Sequence, residues 1–341
     1  MSRACSASPP RHRRSLTGNR LAASLPSKAV AAVTSPLGAP LLIANPGAGG
    51  GRDAVLPRLI AALEERGLAH DVVVTDGRGH ATELARRAVE DDGRRFVVAV
   101  GGDGTVHEVV NGLVDAEAGT PRGDRPVLGV VSGGTGCDFV RTFGLDRAPE
   151  VMADHLLGEQ TLPIDIGRVR LTGLDGRPHT VLFANIAEAG YGGVVTALAN
   201  RLPRRWGTAR YGAAIVGAVT RFRRVETTVT VEQGTRTEPL CNVVVANGQF
   251  FGGGLQVAPR ALPYDDKFNV QTWGGTPIDV VRATPQLRTG AHLSRDDVRE
   301  WQSATVEVSS ARPLVIEADG EVLGHTPATF DLLHRVLDLK L

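Results

Sequence analysis

The stretch from Val97 to Gly112 constrains the fold most, because it changes character twice over a short distance. A β-branched run at residues 96–100 ends at Gly-Gly-Asp-Gly, and an amphipathic run starts at Thr105. This order predicts a buried strand, a glycine turn and a helix start. Glycine lets the backbone approach a ligand closely, and the first turn of a helix offers free N–H groups to an anion. Glu108, three residues after Thr105, predicts a capping box at the start of this helix.

Two further glycine-rich loops follow comparable apolar runs. They read Asn-Pro-Gly-Ala-Gly at residues 45–49 and Ser-Gly-Gly-Thr-Gly at residues 132–136. Neither loop is a P-loop, and the Gly-x-Gly-x-x-Gly fingerprint does not occur at Gly101. One such loop alone is typical of a tight strand–helix turn. Three loops at the carboxyl edge of one parallel sheet favour a phosphate-bearing ligand held by backbone N–H groups.

Apolar periodicity and turn residues predict the order of elements along the chain. In the first half, strands at 41–44, 71–75, 96–100 and 127–131 alternate with helices at 53–66, 81–90, 105–114, 138–143 and 149–157. After residue 162 the predicted strands are 165–171, 180–187, 226–232, 242–247, 268–273 and 305–308, with helices at about 193–202 and 208–222. The strand-like segments 329–333 and 336–341 are candidates to return to the first domain.

We therefore predict an α/β fold with two domains, which also suits a chain of 341 residues. A doubly wound parallel sheet occupies residues 40–162, with residues 329–341 as a candidate completion. A mostly antiparallel β-sandwich occupies residues 163–328. Residues 1–39 are rich in Ser, Ala, Pro and Arg and lack periodicity, which predicts a disordered basic tail.

The net charge of +1 hides an uneven distribution. Residues 201–224 carry seven arginines and no acid, interleaved with Trp206, Tyr211 and Ile215. This mixture predicts an interface helix that faces an anionic membrane surface, with an ordinary solvated helix face as the alternative. A nucleic-acid partner is not expected.

Cysteine usage and hydropathy bear on location. The three cysteines are far apart, which argues against a disulfide framework and fits a reducing compartment. No apolar run reaches the ~18 residues of a transmembrane helix, so a lipid substrate would be met at the membrane surface. The expected location is cytoplasmic and peripheral at the inner membrane face. A homodimer is compatible with the sequence.

The ordered set of motifs resembles the bacterial diacylglycerol kinase and lipid kinase family, which shares a catalytic domain with sphingosine kinases. The resemblance covers roughly Pro40 to the C-terminus. Gly-Gly-Asp-Gly alone is less specific, because it also occurs in NAD kinases and, loosely, in phosphofructokinases. The segments that carry the resemblance are Asn45–Gly49, Gly101–Thr105, Gly134–Phe139, Asp165 before Gly167, Pro259–Val270 and Ala318–Glu321.

The resemblance implies a phosphofructokinase-like first domain, a β-sandwich second domain and a cleft between them. It implies transfer of the γ-phosphate of ATP to a lipid hydroxyl, most readily that of diacylglycerol. Glu321 would be the proton acceptor, with Asp319 beside it. The residues implied for ATP are Asn45, Pro46, Gly47, Ala48, Gly49, Thr75, Gly102, Asp103, Gly104, Thr105, Val106, His107, Glu108 and Thr135.

The resemblance also implies Mg²⁺. Asp103, Asp138 and Asp165 would form one acidic network tied to that ion. Leu262, Asp265 and Lys267 would hold a structural Mg²⁺, partly through backbone oxygens, which hard cations favour.

Each of these carboxylates has a purely structural alternative. Asp103 could belong to an ordinary turn, Asp165 could end a strand, and Asp138 could cap the helix that opens at Phe139. Asp319 and Glu321 could lie on a solvated turn. The loop from Pro259 to Val270 could equally be a surface turn.

Two positions depart from the family pattern, because Cys137 and His107 stand where asparagine is common. Cysteine offers weaker hydrogen bonds than asparagine, so contacts at Cys137 would be altered. A nucleophilic role for this thiol is not expected. Two other functions stay open: a soluble-metabolite kinase of the NAD kinase type, and a non-catalytic sensor of lipid or nucleotide.

Overall fold

The structure is a computed structural model that describes residues 35–46, 55–133, 137–203, 206–207 and 209–341. Predictions for residues 1–34, for Gly47, Ala48 and Gly49, and for Thr135 lie outside these described residues. Residues 35–39, predicted as the end of the disordered tail, instead form a turn in which the Gly38 N–H donates to the Ser35 carbonyl at 2.8 Å. Leu37 packs against the hydrophobic core, and this apolar contact orders the chain before Pro40.

The first domain is built on a parallel sheet with the strand order β2-β1-β3-β6. Helix α1 packs against α5, and α2 packs against α3. Its elements are β1 (Leu41–Ala44), α1 (Val55–Glu65), β2 (Asp71–Val74), α2 (His80–Glu90), β3 (Phe96–Gly101), α3 (Asp103–Leu113), β4 (Val114–Asp115), β5 (Thr120–Pro121), β6 (Val127–Ser132), α4 (Asp138–Thr142) and α5 (Pro149–Leu157).

The second domain is an antiparallel β-sandwich whose two layers enclose their own apolar core. Its elements are β7 (Thr161–Gly173), β8 (Pro178–Phe183), β9 (Ile186–Gly190), α6 (Tyr191–Arg201), α7 (Ala209–Arg221), β10 (Val225–Val231), β11 (Gly234–Leu240), β12 (Asn242–Ala246), β13 (Phe250–Phe251), β14 (Leu255–Gln256), β15 (Phe268–Trp273), α8 (Pro277–Ala283), β16 (Val298–Ser303), β17 (Thr305–Ser310), β18 (Val315–Ala318) and β19 (Glu321–Lys340). The predicted fold class, a parallel α/β sheet followed by an antiparallel sandwich, is confirmed.

Strand β19 connects the two domains. Its first residues pair with β18, its middle pairs with β17 and β7, and its end pairs in parallel with β6 through Asp338 and Leu339. The last segment of the chain therefore joins the sheet of the first domain beside Val127. The same strand begins at Glu321, directly after the Asp319–Gly320 turn.

Eight of the elements named above were not predicted from the sequence: the two-residue strands β4, β5, β13 and β14, and the longer elements β11, β16, β18 and α8. Strand β11 is exposed over most of its length, so its side chains do not alternate between apolar and polar. Helix α8 spans less than two full turns, too short for a clear apolar period. Within the part of the chain that the structure describes, no helix has the length and apolarity of a membrane-spanning segment.

Candidate active site

The carboxyl ends of the parallel strands meet at one rim, as the sequence predicts for a ligand site on such a sheet. The Asn45 N–H donates to the Val100 carbonyl at 3.1 Å, and the Thr75 N–H donates to the Ala44 carbonyl at 2.9 Å. The Gly133 N–H donates to the Gly101 carbonyl at 2.8 Å. Strand β1 lies between β2 and β3, so the crevice at its end is the topological switch point where ligands bind in such folds.

The turn before α3 differs from the predicted capping box. Gly102 is the N-cap, Asp103 is the first helical residue, and the Thr105 side chain is buried against Gly101. A Cβ on Gly101 would overlap Thr105, so this position needs glycine. Glu108 instead accepts the N–H groups of Gly79 at 2.9 Å and Ala81 at 3.1 Å. Its carboxylate satisfies donors at the start of α2, where a negative charge is stabilised.

The residues around α3 that the resemblance implies for ATP therefore differ in how accessible they are to a ligand. Val106 is buried in the core, and its N–H donates to the Gly102 carbonyl at 3.2 Å. The Thr105 N–H donates to the same carbonyl at 2.9 Å. Gly102 and Gly104 have open space where a Cβ would stand, so a ligand can approach their backbone.

Asp103 joins two strand–helix turns of the rim. Its Oδ2 accepts the Asp138 N–H at 2.9 Å and its Oδ1 accepts the Phe139 N–H at 3.0 Å. These bonds stabilise the first turn of α4. Burial raises the pKa of Asp103 to about 6, and the nearby charges of Asp138 and Asp319 act in the same direction.

Asp138 connects this rim to the second domain. Its Oδ2 accepts the Gly253 N–H at 2.7 Å, while its Oδ1 is buried without a hydrogen-bond partner and lies 3.4 Å from Arg141 Nε. The cap role considered as the structural alternative for Asp138 does not apply, because Cys137 is the N-cap of α4. Burial raises the pKa of the Cys137 thiol, so it stays neutral and fits no nucleophilic role.

Asp319 is the most heavily bonded carboxylate of the cleft. Its Oδ1 accepts the N–H groups of Asn185 at 3.0 Å and Ile186 at 3.2 Å, and its Oδ2 accepts the Ala184 N–H at 2.9 Å. Nδ1 of His107, on α3, lies 3.2 Å from the same Oδ2. Asp319 therefore fixes the β8–β9 connection and joins the two domains. The solvated turn considered as its alternative does not describe this residue, whose side chain is 3% exposed.

Glu321 is more accessible than Asp319. Its carboxylate forms an ion pair with Arg78, from the loop between β2 and α2. The Glu321 side chain is 30% exposed and the Arg78 side chain 70% exposed, so the pair lies at the mouth of the cleft. It is a second contact between the domains.

Asp165 has partners different from those of Asp103 and Asp138. Asp165 is fully buried, and its carboxylate accepts the N–H groups of Arg335 at 2.8 Å and Asp266 at 3.0 Å. Among the described residues, Asp165, Asp266 and His334 form the one group of three acidic or histidine side chains whose ligand atoms lie within 4.8 Å of one another. The implied link from Asp165 to Asp103 and Asp138 stays a prediction.

The loop from Leu262 to Lys267 lies beside the Asp165 cluster. The Leu262 carbonyl accepts the Tyr264 N–H at 2.7 Å, and Asp265 Oδ1 accepts the Lys267 N–H at 3.2 Å. Burial raises the pKa of Asp265, and the charge of Asp165 adds to this shift. Carboxylate and carbonyl oxygens are the ligands that hard cations prefer, so the donors of this loop fit the Mg²⁺ that the resemblance implies.

Sequence reasoning missed several residues of the cleft. The sequence did not indicate that Arg78 belongs to the cleft, because a single arginine in a glycine-rich loop is typical of a solvated turn. Asn111 was missed because its partners are distant in sequence: its amide bonds both the N–H and the carbonyl of Leu182 at 3.0 Å, which attaches α3 to β8. Asn185 and Asn247 were missed for the same reason.

Comparison with known proteins agrees with this architecture. The diacylglycerol kinase catalytic domain profile matches residues 39–169, and the profile described as YegS C-terminal NAD kinase beta sandwich-like domain matches residues 185–340. A crystal structure of a diacylglycerol kinase from Bacillus anthracis superposes with a TM-score of 0.64 at 19% identity, covering 89% of this chain and 96% of that chain. This likeness shows the fold.

Sequence relatives extend over most of the chain. The "Probable lipid kinase YegS-like" of Chromohalobacter salexigens is 30% identical over 288 residues, which cover 81% of this chain and 86% of that protein. The "Diacylglycerol kinase" of Mycobacterium tuberculosis is 29% identical over 286 residues, which cover 82% of this chain and 87% of that protein. The chain therefore belongs to the family of diacylglycerol kinases and YegS-like lipid kinases, which transfer a phosphoryl group to an alcohol.

Proposed function

We propose that the protein transfers the γ-phosphoryl group of ATP to the hydroxyl group of a membrane lipid, with diacylglycerol as the first candidate acceptor. The observation that carries this proposal is the 3.2 Å contact between His107 and Asp319. It joins the glycine-rich rim of one domain to the Asp319–Gly320–Glu321 turn of the other. An anion-binding rim and an accessible carboxylate on facing domains are what phosphoryl transfer to an alcohol needs.

The chemistry follows from these groups. The lipid hydroxyl oxygen forms a bond to the γ-phosphorus, and the bond from that phosphorus to the bridging β–γ oxygen breaks, which releases ADP. Glu321 accepts the hydroxyl proton as the new bond forms. Backbone N–H groups at Gly102 and Gly104 stabilise the charge that develops on the phosphoryl oxygens.

A Mg²⁺ ion bound with the nucleotide would neutralise phosphate charge during transfer. Asp138 is the rim carboxylate best suited to hold it, because its buried Oδ1 has no hydrogen-bond partner among the described residues. The loop carrying Asp265 and Asp266 would hold a second, structural ion. Both assignments are part of the proposal.

The proposed activity is tested by incubating the protein with γ-labelled ATP and Mg²⁺ against a panel of acceptors. The lipid arms are diacylglycerol, ceramide, a sphingoid base, phosphatidylglycerol and a polyprenol in mixed micelles, and the soluble arm is NAD. We expect label in the lipid phase, strongest with diacylglycerol, because the chain belongs to a lipid kinase family. Label in NAD alone would support a soluble-metabolite kinase, and label in no acceptor would support a sensor.

We also propose that the lipid is met at an anionic membrane surface. Helix α7 buries only Ala214 and Ala218, while Trp206, Tyr211 and Val216 are exposed. These three side chains, with exposed Ile278 and Val281 on the adjacent α8, are called the α7–α8 patch below. No acid occurs between Glu188 and Glu226, whereas Arg221, Arg223 and Arg224 are exposed and Arg210 is partly exposed. Apolar side chains among cations suit an anionic leaflet, where each arginine contributes about 1 kcal/mol before screening.

Replacing Val216 with glutamate should weaken binding to vesicles of phosphatidylcholine with phosphatidylglycerol by about tenfold. The substitution removes a buried apolar contact with the membrane and adds a repelled charge. Sedimentation with the vesicles measures the fraction of protein that is bound. The matched control is Leu174→Glu, because Leu174 is 65% exposed and Val216 67% exposed but only Val216 belongs to the α7–α8 patch. Equal binding by both variants, or equal binding to pure phosphatidylcholine, would contradict the membrane proposal.

A further inference from the structure

Two glutamates face each other in the buried layer behind the Asp319–Gly320–Glu321 turn. Glu188 on β9 and Glu317 on β18 are directly paired in the antiparallel ladder, and each is 5% exposed. Neighbouring residues on both strands point into the sandwich core, so the two glutamates lie on the opposite face, under the start of α6. The burial of two neighbouring carboxyl groups requires a physical explanation.

Each glutamate accepts a hydrogen bond from a donor outside the pair. Asn242 Nδ2 donates to Glu188 Oε1 at 2.7 Å, and the Gly320 N–H donates to Glu317 Oε2 at 3.1 Å. The antiparallel pairing sets the two side chains opposite each other on one face of the sheet. An ionised carboxylate only accepts hydrogen bonds, so two facing carboxyl groups can bond to each other only when one of them carries a proton.

The surroundings favour the protonated pair. Burial raises the pKa of both glutamates, and the charge of Asp319 raises that of Glu317 further. Cys241, between β11 and β12 and close to Glu188, stays neutral because burial raises its pKa to about 12. The first turn of α6 contributes Gly192, where a Cβ would overlap the Glu188 carboxylate. No cation neutralises the pair among the described residues that bond to it.

The pair holds the turn that carries Glu321. Asp319 and Gly320 both have left-handed backbone conformations, with φ of 50° and 84°. Asp319 fixes this turn to the β8–β9 connection, and the bond from Gly320 to Glu317 fixes its other side. Glu321 follows directly as the first residue of β19. Its direction into the cleft therefore depends on the Glu317 side chain.

We propose that Glu188 and Glu317 are positioning residues that share one proton, hold the turn before Glu321 in its active geometry, and release that geometry when the proton is lost to solvent at alkaline pH. The proposal rests on the proposed function, because it assumes that Glu321 accepts the hydroxyl proton. With both carboxylates ionised, two like charges would face each other in a medium of low dielectric constant, which forces the strands or the turn to shift.

The decisive variant is Glu317→Gln. Glutamine keeps the shape, its oxygen can accept the Gly320 N–H, and its amide can donate to Glu188, so it imitates a permanently protonated pair. We expect kcat at neutral pH within about twofold of wild type with KM unchanged. The alkaline fall of kcat should move up by about one pH unit or disappear, as a raised pKa predicts. Glu307→Gln, at an exposed position on β17, is the matched control and should leave the profile unchanged.

A second variant and a second measurement keep the proposal testable if Glu317→Gln fails to fold. Glu188→Gln leaves the Gly320 contact intact and should shift the alkaline limb in the same way. Thermal unfolding against pH needs no activity: the unfolded glutamates release their protons near pH 4.3, while the native pair keeps one, so wild-type stability falls as pH rises above that value. Both glutamine variants should flatten this dependence.

The outcomes separate the two proposals. An unshifted alkaline limb in both glutamine variants, with wild-type kinase activity present, would overturn the positioning role and leave the proposed function standing. A flattened stability profile without any lipid phosphorylation by wild type would support the shared proton and overturn the proposed function. A stability profile that is unchanged in both variants would overturn the shared proton itself.

Discussion

Replacing Glu321 with glutamine should leave a folded protein that transfers phosphate at least about 10²-fold more slowly, because a positioned base contributes about 10²–10⁴-fold. Glutamine has nearly the same shape but cannot accept the hydroxyl proton. The residue is partly exposed at the mouth of the cleft, so its loss should change the free energy of unfolding by less than about 1 kcal/mol. The effect should fall on kcat, since neither substrate is bound through this carboxylate in the proposed mechanism.

The measurement is kcat and KM for ATP and diacylglycerol in mixed micelles, beside a urea unfolding curve. The matched control is Glu238→Gln, because Glu238 is also an arginine-paired glutamate, with a side chain 31% exposed, and lies on β11 away from the cleft. Full kinase activity in Glu321→Gln would remove Glu321 from the mechanism. An unfolded variant would show that the ion pair with Arg78 is structural.

Replacing Asp319 with asparagine should abolish lipid phosphorylation and also destabilise the protein by about 2–5 kcal/mol, from the cost of leaving buried donors unsatisfied. The two carboxylate oxygens accept three backbone N–H groups and face His107. Asparagine keeps one acceptor oxygen, and its amide N–H₂ would point at donors. The β8–β9 connection and the contact to α3 would both loosen.

Urea unfolding reports this change as a lower midpoint with the same slope, which marks lost stability rather than a changed unfolded state. Asp92→Asn is the control, because Asp92 is exposed and lies just after α2, away from the cleft. That pair of variants separates the loss of the buried hydrogen bonds of Asp319 from the general effect of an Asp→Asn substitution. Equal midpoints for wild type and Asp319→Asn would contradict the structural role of Asp319.

The sequence predicted the parallel domain well because each strand is a short apolar run that ends at glycine or a polar turn. The strands of the sandwich were harder to predict from the sequence. The β8–β9 connection lies within one predicted strand, 180–187, because Asn185 alone interrupts the apolar run from Val181 to Ala187 where the pairing partner changes. Strand β18 was not predicted, because Glu317 interrupts its apolar run.

The candidate site shows the same division between local and long-range information. Glycine loops and the Asp319–Gly320–Glu321 motif are local, and they were recognised. The bond from Glu108 to the start of α2, the Asp165 group with Asp266 and His334, and the ion pair of Arg78 join residues far apart in sequence. Spacing along the chain carries no signal for such contacts, so the capping box at Thr105 was predicted and is wrong.

Strand β19 has a mechanical consequence. It starts at Glu321, runs through both layers of the sandwich and finishes as a neighbour of β6 in the other domain's sheet. One strand thus belongs to both lobes, and its pairing with β7 shifts register between Leu333 and Leu337, just before it joins the sheet of the first domain. Any relative motion of the lobes would therefore act on this strand, whose first residue is Glu321.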